Sequence, residues 1–425
     1  MKRRDAALSS RDRRGVFAWG AALPLRPLCS ASGRRMERGA GGFEAGNGYG
    51  IRKGRTMSSG LTFIFVHGLS GWGSYDEAYR RRPYWGMRGG DLMAWLRKQG
   101  FDCHAASIAP LGSAWDRACE LYAQLAGARV DYGKAHCREY GHERFGRDFS
   151  DCPLIPAWNG DTRLVLLGHS FGGATVRLFS ELLAHGDAQE RLASPPDELS
   201  PLFAGGMEER LHSIVTIASP MNGTTAYDML EDPDFDPAAV KVPWWSKKLA
   251  RLMSLRLGAA PDGRDKRDYA AWDMHLDQAR AFNERCAPLP GVAYFSIPCS
   301  ASVQNPDGTW RPRRGMEPLF YMRACQIGAY AGRTAGGMAV DETWRENDGL
   351  VNTVSARAPS GAPSRPLDRN SIGRGLWNVF PTVEGDHMYL QGGLLHRHDI
   401  RPFYLDLLTL ISGIRPPDAR SPAEE

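Results

Sequence analysis

The chain has 425 residues, of which 42% are hydrophobic and 24% are charged, a composition typical of a globular protein with one large domain or two ordinary ones. It contains no run of about 18 apolar residues, so the sequence predicts no membrane-spanning segment. The net charge of +5 arises in residues 1–56, which hold 13 Lys or Arg and 4 Asp or Glu. The remaining residues carry 40 basic and 44 acidic side chains, so nothing in the folded part indicates a nucleic-acid surface.

Residues 1–56 are rich in Arg and Gly and poor in periodic apolar positions, which predicts a disordered basic extension. Two other interpretations remain open. Arg13 and Arg14, with the short apolar stretch that ends at Leu25, faintly resemble a twin-arginine export signal, although proline and arginine interrupt the apolar part. Alternatively, the natural protein begins at Met57. The cellular compartment therefore stays undecided at this level.

From residue 61 onward, short apolar runs of strand length alternate with stretches that have apolar residues at helical spacing. Strands are predicted over Leu61–Val66, Phe101–Ile108, Leu164–Leu167, Ile214–Ala218, Val292–Ile297 and Trp377–Val383. Helices are predicted over Asp91–Leu96, Ala114–Leu125, Val176–Leu183 and Pro402–Ile414. This alternation predicts an α/β fold with a doubly wound, mostly parallel sheet covered by helices on both faces.

The pattern Gly-x-Ser-x-Gly occurs where a predicted strand gives way to a predicted helix, as Gly168-His169-Ser170-Phe171-Gly172. In that context a serine lies on a sharp, strained turn at the top of the sheet and acts as a nucleophile. The two glycines are needed because a Cβ atom at either position would collide with the neighbouring strand or helix. The N-terminus of the following helix favours a developing oxyanion. Chance matches occur in loops, but the surrounding strand and helix favour Ser170 as the nucleophile.

A nucleophilic serine needs a histidine base and an acid that orients it, and in α/β-hydrolases these follow in the order Ser, Asp, His. Histidines are few downstream of Ser170, and His387 lies in a loop just past a late predicted strand, where such a base belongs. For the acid, Asp348 lies in a predicted turn. Spacing alone also leaves Asp341 and Asp386 as candidates.

A second group of polar residues could bind a metal ion. Asp116 lies near the start of a predicted helix, and His136 and His142 stand six residues apart in a glycine-rich loop. Imidazole nitrogens and a carboxylate oxygen suit Zn²⁺ at about 2.0 to 2.2 Å, and a tetrahedral site needs a fourth ligand. The alternative is that these loop histidines are simply exposed to solvent.

The alternation of strands and helices breaks down over residues 226–290. Within this insertion, Val242–Met253 is apolar and basic at helical spacing, with adjacent tryptophans and several lysine or arginine residues. One interpretation is a helix packed on the core. The other is a lid whose apolar face covers the active site in water and opens on lipid, since tryptophans with interspersed cations suit a lipid–water boundary.

Several of these stretches together resemble one family closely, the bacterial true lipases of the thermophilic bacillus and staphylococcal type. The resemblance extends from about Leu61 to Ile414. It is carried by His67-Gly68-Leu69 with Gly71-Trp72-Gly73, by Pro110–Leu125, by Val130-Asp131-Tyr132-Gly133, by Gly141–Arg147, by Gly223-Thr224-Thr225 and by Glu346–Ser355. Matches of this length are far more specific than the serine pattern alone.

The resemblance implies an α/β-hydrolase fold and a carboxylic ester hydrolase, namely a triacylglycerol lipase that acts at a lipid–water interface. It implies that Ser170 is the nucleophile, His387 the general base and acid, and Asp348 the orienting acid. The backbone N–H groups of Leu69 and Phe171 would form the oxyanion hole. The alternatives are an esterase for shorter or bulkier esters, and a non-hydrolytic lipid-binding protein on the same fold.

The same resemblance implies a structural zinc ion, because the ligand positions of the family match Asp116, His136, His142 and Asp273. The metal would pin the insertion to the main sheet and take no part in catalysis. The calcium site of the family uses acidic residues shortly after the histidine base. Residues 388–393 offer no carboxylate, so we expect that calcium site to be absent.

The predicted organisation is a basic extension over residues 1–56, a lipase domain over 57–418 with the insertion at 226–290, and a short disordered tail over 419–425. We expect a monomer without a nucleic-acid partner. Members of the family are usually secreted, which favours an extracellular location, but this N-terminus does not look like an ordinary signal peptide.

Overall fold

A computed structural model describes residues 60–156, 158–249, 264–395 and 397–414. The predicted basic extension and the predicted C-terminal tail lie outside these residues. Among the helices in the described ranges, none is long and apolar enough to span a bilayer.

Seven parallel strands form the central sheet, and the parallel arrangement follows the prediction. The sequence predicts six of these strands and not Ser364–Pro366. They are β1 (Leu61–Val66), β2 (Asp102–Ala106), β3 (Arg163–His169), β4 (Leu211–Ile217), β5 (Ala293–Ile297), β6 (Ser364–Pro366) and β7 (Trp377–Val379). Their order across the sheet is β6-β7-β5-β4-β3-β1-β2, and every neighbouring pair runs parallel. Strand β3 therefore lies inside the sheet, and its C-terminal end reaches the edge where ligands bind in open α/β sheets.

Helices occupy the connections between these strands, and one more helix follows the last strand. The α-helices are α1 (Glu77–Arg81), α2 (Leu92–Lys98), α3 (Ala114–Ala126), α4 (Lys134–Tyr140), α5 (Gly172–His185), α6 (Ala188–Ala193), α7 (Pro201–Ala204), α8 (Thr225–Glu231), α9 (Ala270–Asp273), α10 (Leu276–Arg285), α11 (Tyr321–Ala329) and α12 (Arg401–Ser412). Short 3₁₀ turns lie at Met87–Gly89, Glu208–Arg210, Lys266–Asp268, Glu342–Trp344 and Tyr389–Gln391. Small antiparallel pairs join Arg129–Asp131 to Phe145–Asp148, Ser302–Gln304 to Trp310–Pro312, and Gly332–Arg333 to Ala339–Val340. The predicted helices correspond to α2, α3, α5 and α12, with small shifts at their ends.

Both faces of the sheet are apolar, because helices cover both. Successive residues of a strand point to opposite faces, so that one strand serves two cores. Ile64 and Val66 of β1 belong to a core with α3 and α5. Phe63 and Phe65 belong to a second core on the other face, with α2 and α12. The two-sided burial explains why the strands read as continuous apolar runs in the sequence.

One predicted strand is wrong in its length. The sequence predicts a strand over Trp377–Val383, but β7 ends earlier, and Val383–Glu384 forms a separate short strand paired with Cys299–Ser300. Pro381 lies between the two strands and has no N–H group to donate, so the ladder of hydrogen bonds cannot continue through it. The break precedes the loop that carries His387.

The predicted insertion at 226–290 contributes α8, α9 and α10. Buried side chains of α8, α10 and α11, with Tyr330, form a small third core that holds this part of the chain together. Residues 244–249 are helical, Trp244 is 79% exposed, and the ring of Trp245 lies 5.1 Å from that of Tyr321. The remainder of the predicted helix after residue 249 lies outside the described residues.

Candidate active site

Ser170 lies on the tight turn between β3 and α5, and its φ angle of 54° is in the left-handed region that side chains rarely adopt. Its N–H group donates to the Ile217 carbonyl at 2.8 Å, which holds the turn. A Cβ atom at Gly168 would lie 2.3 Å from the Gly172 carbonyl oxygen, and one at Gly172 would lie 2.4 Å from the Val66 carbonyl oxygen. Close backbone contacts therefore require both glycines, as the sequence predicts.

Ser170, His387 and Asp348 form a continuous series of hydrogen bonds. The Ser170 hydroxyl lies 2.8 Å from Nε2 of His387, and Nδ1 of His387 lies 2.8 Å from Oδ2 of Asp348. All three side chains are buried, with exposed fractions of 7%, 4% and 1% in the order Ser170, His387, Asp348. A carboxylate only accepts, so His387 carries its proton on Nδ1, and its Nε2 lone pair accepts from the Ser170 hydroxyl. This arrangement can activate a serine oxygen.

The local backbone distinguishes Asp348 from the other two acid candidates. Oδ1 of Asp348 accepts two backbone N–H groups of its own turn at 3.0 and 2.8 Å, which leaves Oδ2 for His387. Asp386 instead accepts two backbone N–H groups, one of them from Glu317. Asp341 is exposed and caps a short turn through the N–H of Thr343. Of the three candidates, the structure brings only Asp348 to the His387 ring.

The loop after β1 and the turn after β3 carry the two N–H groups predicted for the oxyanion hole, those of Leu69 and Phe171. In the part of the chain that the structure describes, neither N–H donates to a protein acceptor. By contrast, the neighbouring N–H of Ser70 donates to the Pro110 carbonyl at 2.8 Å. Unpaired N–H groups next to a nucleophilic oxygen can bind a developing oxyanion. Phe171 also precedes α5, so the positive end of that helix lies at the turn.

Arg117, on α3, is fully buried and joins these two segments. Its Nε donates to the Thr175 hydroxyl at 2.9 Å. Its terminal nitrogens donate to the carbonyls of Ala109, at 3.0 Å, and of His67. The guanidinium lies 5.2 Å from the centre of the Phe171 ring. Burial lowers the pKa of Arg117 to about 10, so the group stays charged at neutral pH. No local pattern in the sequence marks this role, because the contacting groups come from separate segments.

Gly68 packs against Ser170 so closely that a methyl group cannot be added without movement. A Cβ atom at Gly68 would lie 2.6 Å from the Ser170 Cβ and 3.2 Å from its Oγ. We expect Gly68→Ala to displace the Leu69 N–H and to lower kcat of a reaction that uses the Ser170 oxygen by about 100-fold, the loss that a misplacement of about 1 Å can cause. Gly160→Ala is the matched control, because a Cβ atom there meets nothing within 4 Å. An unchanged kcat in Gly68→Ala would contradict this position of the loop.

A second cluster contains Asp116, His136, His142 and Asp268, whose possible ligand atoms all lie within 4.8 Å of one another. Nε2 of His136 lies 3.3 Å from Oδ1 of Asp116 and 3.2 Å from Oδ1 of Asp268. Nε2 of His142 lies 3.3 Å from Oδ2 of Asp268. The second oxygen of Asp116 accepts from Arg264 at 2.8 Å. Two imidazoles and two carboxylates at these separations could hold a metal ion.

The cluster fits a cation because each member offers a buried atom without a hydrogen-bond partner. Among the described residues, these orphaned atoms include Asp116 Oδ1, His136 Nε2, His142 Nε2 and Asp268 Oδ2. Nδ1 of His142 donates to the Glu143 carbonyl at 3.0 Å, so its Nε2 lone pair faces the cluster. Burial lowers the pKa of His136, but the Asp116 and Asp268 carboxylates outweigh it and raise that pKa to about 9. The cluster therefore attracts positive charge strongly.

The fourth member of this cluster differs from the sequence-based prediction, which named Asp273. Oδ2 of Asp273 accepts the N–H of Ala114 at 2.8 Å, at the first turn of α3. Burial raises the pKa of Asp273 to about 7, which makes it a poorer metal ligand at neutral pH. Asp268 lies in the cluster instead, and the Ser113 hydroxyl donates to its Oδ1 at 2.7 Å. The tertiary position of the segment before α9 determines that Asp268, and not Asp273, lies in the cluster, so no local sequence pattern distinguishes them.

Comparison with known proteins places the chain among lipases. Residues 60–238 match the family model described as "Lipase-like, C-terminal domain". Lipase 2 of Staphylococcus aureus is 31% identical over 356 residues, which cover 76% of this chain and 49% of that protein. The chain thus spans about half the length of the curated relatives it matches.

Two solved structures are similar along nearly their whole length. The crystal structure of Staphylococcus hyicus lipase has a TM-score of 0.69 and 28% identity, and the match covers 85% of this chain and 98% of that one. The structure of lipase 1 from Pelosinus fermentans has a TM-score of 0.67 and 30% identity, and the match covers 84% of this chain and 99% of that one. The predicted α/β-hydrolase fold and the predicted family are thereby confirmed. The chain belongs to the family of bacterial lipases that includes these staphylococcal enzymes.

Proposed function

We propose that this chain is a serine-dependent carboxylic ester hydrolase and that its substrates are triacylglycerols. The observation that carries the proposal is the unbroken series of contacts from the Ser170 hydroxyl through His387 to Asp348, at 2.8 Å for each contact. The family supports it, because the named relatives are lipases. We assign this function to a domain over residues 57–418.

In the first half of the proposed reaction, the Ser170 oxygen attacks the ester carbonyl carbon while Nε2 of His387 takes the hydroxyl proton. The N–H groups of Leu69 and Phe171 stabilise the negative charge that develops on the carbonyl oxygen. His387 then gives its proton to the leaving alcohol as the ester C–O bond breaks. The acyl group remains bound to Ser170.

In the second half, His387 takes a proton from a water molecule whose oxygen attacks the acyl carbon. The bond to the Ser170 oxygen breaks, His387 returns the proton to that oxygen, and the fatty acid leaves. Asp348 stays ionised throughout and stabilises the imidazolium form of His387. Because two backbone N–H groups hold its other oxygen, Asp348 keeps the ring in the same orientation in both halves.

Apolar side chains near this site support a lipid substrate. The ring of Phe320 lies 6.1 Å from that of His387, and the following residue begins α11. Trp245 packs on Tyr321 at the start of this helix, and its neighbour Trp244 is 79% exposed. An exposed indole is unfavourable in water and suits a lipid–water boundary. This feature favours a lipase over an esterase for short soluble esters.

The test compares wild type with Ser170→Ala on a short soluble ester and on an emulsion of a long-chain triacylglycerol. Hydrolysis of the emulsion that disappears in Ser170→Ala would support a lipase with Ser170 as the nucleophile. Hydrolysis of the short ester alone would make the protein an esterase. No hydrolysis of either by folded, metal-loaded protein would favour non-hydrolytic lipid binding, and hydrolysis that survives in Ser170→Ala would refute the serine mechanism.

We also propose that Asp116, His136, His142 and Asp268 hold a zinc ion with a structural role. Zinc prefers nitrogen and oxygen ligands in a tetrahedral arrangement, and this set offers two of each. The bound ion would offset the charge of two buried carboxylates and tie the segment before α9 to the start of α3. None of the four ligands takes part in the proposed reaction steps.

A further inference from the structure

A second series of hydrogen bonds involves residues that lie next to Ser170 and His387. The Gly68 N–H donates to the Tyr84 hydroxyl at 3.1 Å, and the Tyr84 oxygen lies 2.6 Å from Nδ1 of His169. Nε2 of His169 lies 2.8 Å from the backbone carbonyl of His387. The series thus joins the loop after β1, the serine turn and the loop of His387, which are far apart in the sequence.

The direction of each bond follows from the groups at its ends. The His387 carbonyl only accepts, so Nε2 of His169 carries the hydrogen. Burial, with His387 nearby, lowers the pKa of His169 well below its usual value, so the ring is neutral and Nδ1 accepts. Tyr84 therefore donates to Nδ1 and accepts from Gly68 through the same oxygen. Reversal of one bond would leave another buried group without a partner.

Packing holds the two side chains of this series in place. Tyr84 and His169 are 3% and 1% exposed. The His169 ring lies 4.9 Å from the ring of His387 and 6.2 Å from that of Trp85. The Tyr84 ring packs edge to face on Trp72 at 5.5 Å. Neither side chain can reach other partners without disrupting this aromatic group.

We infer that Tyr84 and His169 are positioning residues for ester hydrolysis, which hold the oxyanion-hole loop, Ser170 and His387 at fixed distances from one another. The inference rests on the proposed function, because it assumes that Ser170 and His387 carry the reaction. Neither Tyr84 nor His169 bonds to the reacting oxygen of Ser170. Their loss raises the barrier more than it weakens substrate binding, since displaced donors and bases act chiefly in the transition state.

Tyr84→Phe removes only the hydroxyl that joins the loop to the His169 ring. We expect kcat for a soluble short-chain ester to fall about 10- to 100-fold, with KM within about twofold of wild type. Tyr79→Phe is the matched control, because it removes a hydroxyl that donates to Oδ1 of Asp91 at 2.8 Å, outside this series. Melting temperatures of both variants separate lost stability from lost positioning. Equal kcat values for Tyr84→Phe, Tyr79→Phe and wild type would overturn the inference.

The unmodified protein offers a second test that does not depend on how a variant folds. In nuclear magnetic resonance spectra of protein with ¹⁵N-labelled histidine, His169 should be neutral and protonated at Nε2, whereas His387 should be protonated at Nδ1. A His169 ring protonated at Nδ1 would overturn the inference alone. Hydrolysis that survives in Ser170→Ala would overturn the proposed function, and the inference with it.

Discussion

Ser170→Ala is expected to lower kcat for ester hydrolysis by about 10⁴- to 10⁶-fold while the protein stays folded. Alanine has no oxygen to attack the ester, so only the N–H groups of Leu69 and Phe171 and substrate binding remain to accelerate the reaction. Folding should not suffer, because the hydroxyl contributes one bond to His387 and the backbone sets the φ angle of 54°. Initial rates on a soluble ester and a melting curve measure both effects.

The matched control for this substitution is Ser180→Ala. Ser180 lies on α5, is 4% exposed, and donates through its hydroxyl to the Arg177 carbonyl at 2.7 Å. Ser180→Ala also removes a buried hydroxyl oxygen, but one that takes no part in the proposed reaction, so full activity is expected. Activity in Ser170→Ala comparable to that of Ser180→Ala would contradict the nucleophile assignment.

The hydrogen bonds among Ser170, His387 and Asp348 also predict that these three side chains act as one unit in the reaction. His387→Ala should lose about as much kcat as Ser170→Ala, and the double variant should lose no more than either single one. Asp348→Asn should lower kcat by about 10⁴-fold, because an amide at this position favours the wrong tautomer of His387. If the losses multiplied in the double variant, Ser170 and His387 would act independently, which their 2.8 Å contact argues against.

The serine turn could be predicted from the sequence because the groups that build it are neighbours in the chain. An apolar run, a turn with two glycines and a helical pattern follow one another between Leu164 and Leu183. The parallel sheet could be predicted for a related reason, since strands that are buried on both faces read as uninterrupted apolar runs. Two details of the sheet differ from the prediction. Pro381 interrupts the strand predicted over Trp377–Val383, and the sequence does not predict the short strand Ser364–Pro366.

The orienting acid could not be selected from spacing, because Asp341, Asp348 and Asp386 all lie in loops. Asp348 and His387 stand 39 positions apart, and the His387 N–H donates to the Asp348 carbonyl at 2.9 Å. That contact depends on how two loops pack together, which no local pattern encodes. The sequence pattern leaves Asp348 beside two other candidates, and the family resemblance selects it.

Arg117 and Tyr84, two further residues near the site, also could not be identified from any local sequence pattern. Arg117 lies in a stretch that carries the family resemblance, yet its contacts to the His67 carbonyl and the Phe171 ring appear only in the fold. Tyr84 stands 85 positions from His169, to which it donates. Buried polar groups of this kind are identified by their partners, and the partners are set by tertiary packing.

Removal of the proposed metal is expected to lower the melting temperature by about 5 to 10 °C, because an ion present at about 1,000 times its Kd adds about 4 kcal/mol to the free energy of unfolding. Without the ion, the carboxylates of Asp116 and Asp268 stay buried against each other, with Arg264 at 2.8 and 3.5 Å and His136 at 3.3 and 3.2 Å as cationic partners. Melting curves with and without a chelator measure the change, and elemental analysis of protein purified without chelator should find about one zinc per chain. A chelator without effect on stability would contradict a structural metal.

Substitution of the two competing aspartates identifies the fourth ligand. Asp268→Asn removes an orphaned carboxylate oxygen from the cluster. Loss of a residue that only contacts a metal ligand weakens metal binding by about 10- to 100-fold, and loss of the ligand Asp268 should weaken zinc binding more than that. Asp273→Asn is the matched control, since it changes the bond to the Ala114 N–H and should keep the zinc while lowering stability slightly. Lower pH should release the metal from wild type, because protons compete with the metal for His136. Zinc retained in Asp268→Asn and lost in Asp273→Asn would support Asp273 as the fourth ligand, as the sequence predicts. It would also mean that metal binding rearranges the segment before α9.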